Sequence, residues 1–245
     1  MPVFLKMSAL VLFSTFMQAP QPTKQSGDQT PDPANVIEST YAAKDWSPAA
    51  DPNSPEWSGI NGIEVYKGFF AGDAPKLPSM QVRSRWTQKN LYLLFICPYL
   101  KLHLKPNPVT NAETNQLWNW DVAEAFIGSD YLRTSRYKEF QVSPQGEYVD
   151  LDIDRDNPRE QKGVEWQSGF TVFATIDRAK KIWYAEMKIP FQSLDIRSPK
   201  PGNELRIGLF RIEGAEPDRI YVTWRPTEAT TFHVPSEFGS LVLKN

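Results

Sequence analysis

From Val36 onward, the chain consists of short apolar or aromatic runs separated by turn-forming residues. The strongest example pairs residues 81–86 with residues 91–97 across the short polar segment 87–90, which is the pattern of a β-hairpin. No helical period of apolar residues is sustained. Short apolar runs separated by turns are typical of all-β folds. We therefore expect residues 36–245 to form one domain, an antiparallel β-sandwich of jelly-roll type with two packed sheets.

The residues before this domain have a different character. Lys6 is followed by the apolar stretch 7–16 and then by Ala19, which is the layout of a secretory signal peptide over residues 1–19. Residues 20–35 are rich in Pro, Gln, Thr and Asp and lack a hydrophobic period, so they are predicted to be a flexible linker. We expect a secreted or periplasmic protein with no membrane span in its mature chain.

The overall composition excludes some partners. With 40% hydrophobic and 13% aromatic residues, the chain can build a sizeable core. Its formal net charge of −2 provides no basic field for nucleic acids or anionic membranes, so neither is expected as a partner. The single cysteine, Cys97, lies in the apolar run LYLLFICPYL, and we expect it to be buried and unreactive. The sequence does not predict an oligomeric state.

The stretch LWNWDVAEAFIG, residues 117–128, places two tryptophans beside two carboxylates. If it is a strand, Trp118, Glu124 and Phe126 share one face, because side chains alternate along a strand. Asp121 falls on the other face. A face that carries an indole and a carboxylate suits a sugar, since aromatic rings cover its C–H faces while carboxylates and amides bind its hydroxyls.

Most tryptophans in such a fold must nevertheless belong to the core. Trp86, Trp183 and Trp224 lie inside strand-like runs and are predicted to be core residues. Trp118 differs because it follows a polar loop at a strand entrance, where binding residues concentrate. We expect its indole to be substantially exposed and to face Phe232 across a cleft.

Other chemistries are weakly supported. A glycosidase needs two carboxylates that face one cleft, whereas Asp121 and Glu124 point to opposite faces of a strand. The chain has two histidines, no GxSxG elbow and no zinc or covalent haem motif. Non-covalent haem would need axial ligands such as Met80 with His103 or His233.

A run of alternating carboxylates suggests a calcium site. The segment DLDIDRD puts Asp150, Asp152 and Asp154 on one strand face, and calcium prefers oxygen ligands. The glycine and the glutamate of an EF-hand loop are missing, so a solvated strand face is the competing interpretation. These aspartates are weak candidates for a structural calcium ion.

Four motifs occur in an order that resembles carbohydrate-binding module family 9, within the wider DOMON-like group. They are LWNWDVAEAFIG, YKEFQVSPQG, WYAEMKIPF and FHVPSEFGSLVL. The resemblance runs from about Val36 to the last residue. It implies an antiparallel β-sandwich that binds sugars without catalysis, in known cases at chain ends held between two aromatic side chains, with calcium bound elsewhere.

The resemblance also implies which residues bind. Trp118 matches the first aromatic side chain of the clamp, Glu124 matches the glutamate of the following strand, and Asp121 would hold the strand entrance. Phe232, followed by His233, stands where the family has a second clamp tryptophan.

An arginine expected in the next strand is replaced by Gln141, beside Glu139. The predicted ligand-binding set is therefore Trp118, Asp121, Glu124, Glu139, Gln141, Phe232 and His233.

The leading hypothesis is non-catalytic binding of a mono- or oligosaccharide in support of polysaccharide degradation. Three alternatives remain open. The chain could be a haem-binding electron-transfer module of DOMON-like fold, a hydrolase component that acts on glycans, or a structural or adhesion domain without a small ligand.

Overall fold

The computed structural model describes residues 35–72, 79–157, 165–195 and 197–245. The predicted signal peptide, and the predicted linker up to residue 34, lie outside these residues. No helix among the described residues has both the length and the apolar character needed to cross a membrane.

The described residues form β-strands with very little helix, which confirms the all-β prediction. The strands are β1 (Val36–Tyr41), β2 (Ile63–Val65), β3 (Met80–Trp86), β4 (Asn90–Pro98), β5 (Val122–Gly128), β6 (Arg136–Val142), β7 (Tyr148–Asp154), β8 (Thr171–Asp177), β9 (Ile182–Pro190), β10 (Glu204–Glu213), β11 (Ile220–Thr223) and β12 (Gly239–Lys244). One short helix, α1 (Phe191–Leu194), follows β9, and 3-10 turns span Pro55–Trp57, Leu117–Asn119 and Pro235–Glu237.

These strands form one mixed sheet. Their order is β7-β6-β5-β10-β12-β1-β3-β4-β9-β8, with β11 paired to β10 and β2 paired to β3. Strand β1 runs parallel to both β12 and β3, whereas the other strand pairs are antiparallel. The expected arrangement of two separate antiparallel sheets is therefore not confirmed. The predicted hairpin is present as β3 and β4.

The sheet curves so that its two halves enclose a common core. Side chains from β4 and β9 pack in one cluster with side chains from β5, β6 and β10, so the sheet is nearly barrel-shaped. Trp86, Trp183 and Trp224 are all buried there, as predicted. A second cluster lies on the opposite face of β5, β6, β7 and β10 and includes Phe126 and Phe210. The candidate site is built on this second face.

Cys97 lies in the main core and is fully buried. Burial raises the pKa of its thiol to about 12, because the thiolate would lose its hydration there. We expect no reaction with a thiol reagent in the native protein at about pH 8, and one thiol per chain once denaturant is added. Fast labelling without denaturant would contradict this placement.

Candidate functional site

Strand β5 separates the core from the candidate site. Val122, Glu124 and Phe126 point to one face, whereas Ala123 and Ala125 belong to the main core, as the alternation of the sequence predicts. The preceding residues do not continue the strand. They form the 3-10 turn Leu117–Asn119, so the turn, and not the strand, presents Trp118 to the face that carries Glu124.

This face holds a cavity of about 790 Å³. Its size is within the range of pockets that take small ligands. The lining combines aromatic, aliphatic and polar side chains: Phe69, Trp118, Phe126, Tyr221 and Phe232; Leu151, Ile153 and Ile212; and Glu124, Glu139, Gln141, Arg155, Thr230, Thr231 and His233. Apolar walls with a few convergent polar groups are typical of a binding site for a small organic molecule.

The structure brings six of the seven predicted binding residues into this cavity: Trp118, Glu124, Glu139, Gln141, Phe232 and His233. Asp121 does not line it. Its buried carboxylate accepts hydrogen bonds from the backbone N–H of His103 at 2.9 Å and of Gly214 at 2.7 Å. Asp121 therefore supports the entrance of β5 from the other face, as its odd spacing from Glu124 predicts, and a direct contact with the ligand stays untested.

The aromatic wall differs from the expected open clamp. Trp118 is half-buried, but Phe232 is only 7% exposed. The Phe232 ring stacks on Phe210 with 4.4 Å between ring centroids and also packs against Phe69 at 5.4 Å. Trp118 is therefore less exposed than expected, and Phe232 is one ring of a packed aromatic cluster. Phe69 and Tyr221 complete this wall, and no sequence motif marks them.

The floor of the cavity is a pair of buried carboxyl groups with an amide. Glu124 on β5 lies opposite Gln141 on β6, and Glu139 lies two residues from Gln141 on the same face. The Nε2 group of Gln141 donates a hydrogen bond to Oε1 of Glu139 at 2.6 Å. Sequence analysis identified these three residues through the family resemblance, and the register of β5 and β6 explains why they meet.

Burial makes both carboxyl groups weak acids. It raises the pKa of Glu139 to about 8, because the carboxylate loses water that Gln141 only partly replaces. Burial also raises the pKa of Glu124, and the charge of Glu139 raises it further, while Arg219 acts in the opposite direction. At neutral pH the pair therefore retains a proton.

This protonation makes stability depend on pH. A carboxyl group whose pKa is higher in the folded state stabilises the fold fully below its unfolded pKa, and this contribution disappears as the pH rises through the folded pKa. We expect the melting temperature to fall between about pH 5 and about pH 8, and Glu139→Gln to reduce this fall by roughly 2 °C or more. The surface variant Glu165→Gln is the control. If the melting temperature fell equally with pH in the parent and in Glu139→Gln, the raised pKa of Glu139 would be contradicted.

Two other groups complete the electrostatics of the cavity. Burial, with a smaller effect of Arg155, lowers the pKa of His233 to about 4, so its imidazole is neutral at pH 7. Its Nδ1 shares a hydrogen bond of 2.7 Å with the hydroxyl of Tyr137. Arg155 lines the cavity and is itself exposed, so it provides a guanidinium at the cavity rim.

Arg219 holds the turn that carries Trp118. Its guanidinium donates hydrogen bonds to the backbone carbonyl oxygens of Trp118 and of Asn119, the latter at 2.9 Å. Sequence analysis missed this contact because about one hundred residues separate the partners, and no local pattern links them.

The residues considered for haem are not brought together in this cavity. Met80 is buried in the main core, and the ring of His103 stacks on Trp120 with 4.6 Å between centroids. Of the three candidate ligands, only His233 lines the cavity.

The three aspartates of β7 have separate partners. Asp150 is buried and accepts hydrogen bonds from the backbone N–H and the hydroxyl of Ser168. Asp152 and Asp154 form ion pairs of 2.6 Å with the lysine and the arginine opposite them on β6. Among the described residues, no group of three or more His, Cys, Asp or Glu side chains is placed to hold a metal ion. Calcium binding by these aspartates stays an untested prediction.

Comparison with known proteins identifies the family. Residues 54–245 match the model of the family described as carbohydrate family 9 binding domain-like. The chain belongs to this family. The resemblance found in the sequence is thereby confirmed, although the wider DOMON-like grouping stays a prediction.

This family 9 domain is similar to proteins of other organisms. An extracellular protein of Arthroderma benhamiae is 24% identical over 183 residues, which cover 69% of this chain and 81% of the relative. A crystal structure from Bacteroides uniformis superposes with a TM-score of 0.68 at 16% identity, over 86% of this chain and 99% of that chain.

A family 9 carbohydrate-binding module of Caldicellulosiruptor kristjanssonii has the same fold. Its complex with cellotriose gives a TM-score of 0.57 at 14% identity and covers 86% of this chain and 94% of that chain. Its complex with glucose gives a TM-score of 0.58 at 15% identity and covers 86% of this chain and 96% of that chain.

Proposed function

We propose that this protein binds carbohydrate without catalysis and that its ligand, a monosaccharide or the end of an oligosaccharide, occupies the cavity beside Trp118. The observation that carries the proposal is the junction of an aromatic wall with a floor of buried carboxyl and amide groups, in a chain of the carbohydrate family 9 binding domain-like family. The C–H face of a sugar would lie against the indole, and its hydroxyls would bind the floor.

The related module from Caldicellulosiruptor kristjanssonii supports a ligand of the glucose type, because its structures contain cellotriose and glucose. Calorimetric titration of the whole chain with glucose and with cellotriose tests this proposal. We expect saturable binding to one site for at least one of these sugars, and the same titration with a chelator measures any dependence on calcium. The proposal would be contradicted if neither sugar gave a heat of binding and a broad glycan array also showed no binding.

The arrangement of the carboxyl groups supports binding over hydrolysis. A glycosidase places an acid and a second carboxylate on either side of the bond that breaks. Glu124 and Glu139 lie side by side on the cavity floor, and burial raises the pKa of both. We therefore infer a module that recognises sugar and leaves turnover to other proteins, in support of polysaccharide breakdown.

We further propose that the protein acts outside the cytoplasm, in a secreted or periplasmic location. The name of the relative from Arthroderma benhamiae, an extracellular protein, supports this location. The charged and apolar pattern of residues 1–19 supports it independently. Mass spectrometry of the protein recovered from its native source would identify the mature N-terminus, which we expect between residues 19 and 26.

Arg219 should control affinity through Trp118. The variant Arg219→Met keeps the aliphatic stem but removes the donors that hold the 3-10 turn, and also a cation near Glu124. We expect sugar affinity to fall by about fivefold or more, with a change in melting temperature of only about 2 °C. The exposed residue Arg178 provides the control variant Arg178→Met. Unchanged affinity in Arg219→Met would show that the turn does not depend on this residue.

A further inference from the structure

The carboxyl groups of the cavity floor have fewer partners than the other buried carboxyl groups of the described chain. Each of the others receives hydrogen bonds or a cation from two or more groups. These carboxylates are Asp121, bonded by two backbone N–H groups; Asp150, by the N–H and hydroxyl of Ser168; Glu147, by Ser143 and Lys105; Glu186, by Trp46, Ala49 and Ala50; and Glu213, by Arg211 and Leu100. Buried carboxylates generally need such partners, because they have lost the hydration of the unfolded chain.

Among the described residues, Glu139 accepts one hydrogen bond, from Nε2 of Gln141, and Glu124 accepts none. Neither carboxylate belongs to an ion pair within this part of the chain. Oε2 of Glu139 and Oε1 of Gln141 are buried and have no hydrogen-bond partner among the same residues. Both side chains line the cavity together with Glu124. The floor therefore presents acceptor atoms that a ligand or water would satisfy.

The structure orients the Gln141 amide towards Glu139. Its Nε2 donates to Oε1 of Glu139 at 2.6 Å, which leaves Oε1 of Gln141 as the atom without a partner among the described residues. All three side chains of the floor thus offer oxygens to the cavity, and a carboxyl group that holds a proton also offers a donor.

The charged and titratable groups around the floor lie at its sides. Arg219 faces Glu124 and is held by the carbonyl oxygens of the 3-10 turn. Arg155 stands exposed at the rim, and His233, bonded to Tyr137, is neutral at pH 7. The raised pKa of Glu139 has no cation among its causes, only burial and the bond from Gln141. Among the described residues, no cation forms an ion pair with Glu139 at this end of the floor.

We propose that this floor selects sugars that carry a protonated primary amine, whose ammonium group donates hydrogen bonds to the oxygens of Glu124, Glu139 and Gln141. The inference rests on the proposed sugar-binding function and specifies its ligand class.

An ammonium group matches the floor because it has three N–H donors and no acceptor. A hydroxyl group supplies one donor and brings two lone pairs close to the floor oxygens. Hydrogen bonds between ionised partners are also stronger than those of a neutral hydroxyl. When the ammonium binds, the proton that burial retains on the pair of Glu124 and Glu139 leaves to the buffer, and the carboxylate oxygens then face the cation. Binding of an amino sugar therefore releases a proton that a neutral sugar does not displace.

Calorimetry with matched sugars tests the inference. The whole protein is titrated at about pH 6 with glucose, glucosamine, 6-amino-6-deoxyglucose and N-acetylglucosamine. We expect at least one of the two amines to bind about tenfold more tightly than glucose, and N-acetylglucosamine, which has no cation, to show no such gain. Repeating the titration in buffers of different ionisation enthalpy should show proton release for that amine.

Two variants locate the effect. Glu139→Gln should reduce the ratio of amine affinity to glucose affinity to about one, whereas Glu165→Gln, at an exposed site, should keep the ratio of the parent. If Glu139→Gln does not fold, the release of a proton on amine binding to the parent protein tests the inference instead. Binding of glucose with neither amine favoured, or amine binding without proton release, would overturn the inference and leave the proposed function intact. Failure of all four sugars to bind would overturn the inference, and the results with cellotriose and the glycan array would then decide the proposed function.

Discussion

Replacing Trp118 with alanine is expected to weaken sugar binding by about 2 kcal/mol or more, roughly thirtyfold in affinity, because a stacked indole is a typical anchor of a binding site. The melting temperature should change little. Trp118 is half-buried, and the hydrogen bonds from Arg219 reach backbone carbonyls that alanine retains. Calorimetric titration beside thermal melts measures both effects.

Trp166 provides the matched control for this variant. It is also a half-buried tryptophan, but it packs against Phe140 and does not line the cavity. Trp166→Ala should retain the affinity of the parent. If Trp118→Ala binds sugar as well as the parent, or unfolds, Trp118 is not the platform of the site.

Phe232→Ala is expected to cost about 3–5 kcal/mol of unfolding free energy, as for other buried phenylalanines. The reason is the stacking of Phe232 on Phe210 and its packing against Phe69 in the second cluster. Sugar binding should also weaken, because the cavity loses part of its wall. Denaturant unfolding, followed by titration below the transition, separates the two effects.

Phe238 belongs to the same cluster, is 8% exposed and does not line the cavity. Phe238→Ala should therefore destabilise the protein to a similar extent while its affinity for sugar changes less. An unchanged stability of Phe232→Ala would show that this ring does not contribute to the packed cluster.

Local sequence patterns were sufficient to predict much of the fold. Alternation in residues 122–128 predicted which side chains of β5 share a face, and the apolar runs predicted the burial of Trp86, Trp183 and Cys97. Such features depend on the two-residue period of a strand, which is visible in sequence. The parallel pairing of β1 with β12 and β3 was not visible, because no turn connects these strands directly and sets their direction.

The family resemblance predicted part of the candidate site. It identified Trp118, Glu124 and Gln141, and the register of β5 and β6 brings the last two together. Phe69, which lines the cavity, and Arg219, which holds the turn that carries Trp118, were missed because both are far from Trp118 in the chain. The burial of Phe232 was missed for a similar reason, since it depends on Phe210 and other rings far away in the chain.

A crystal structure of the protein soaked with cellotriose or glucose would show where the sugar binds. We expect one sugar ring over the indole of Trp118, with hydroxyls within hydrogen-bond distance of the floor formed by Glu124, Glu139 and Gln141. Sugar bound at another surface, with none in this cavity, would show that the cavity is not the binding site.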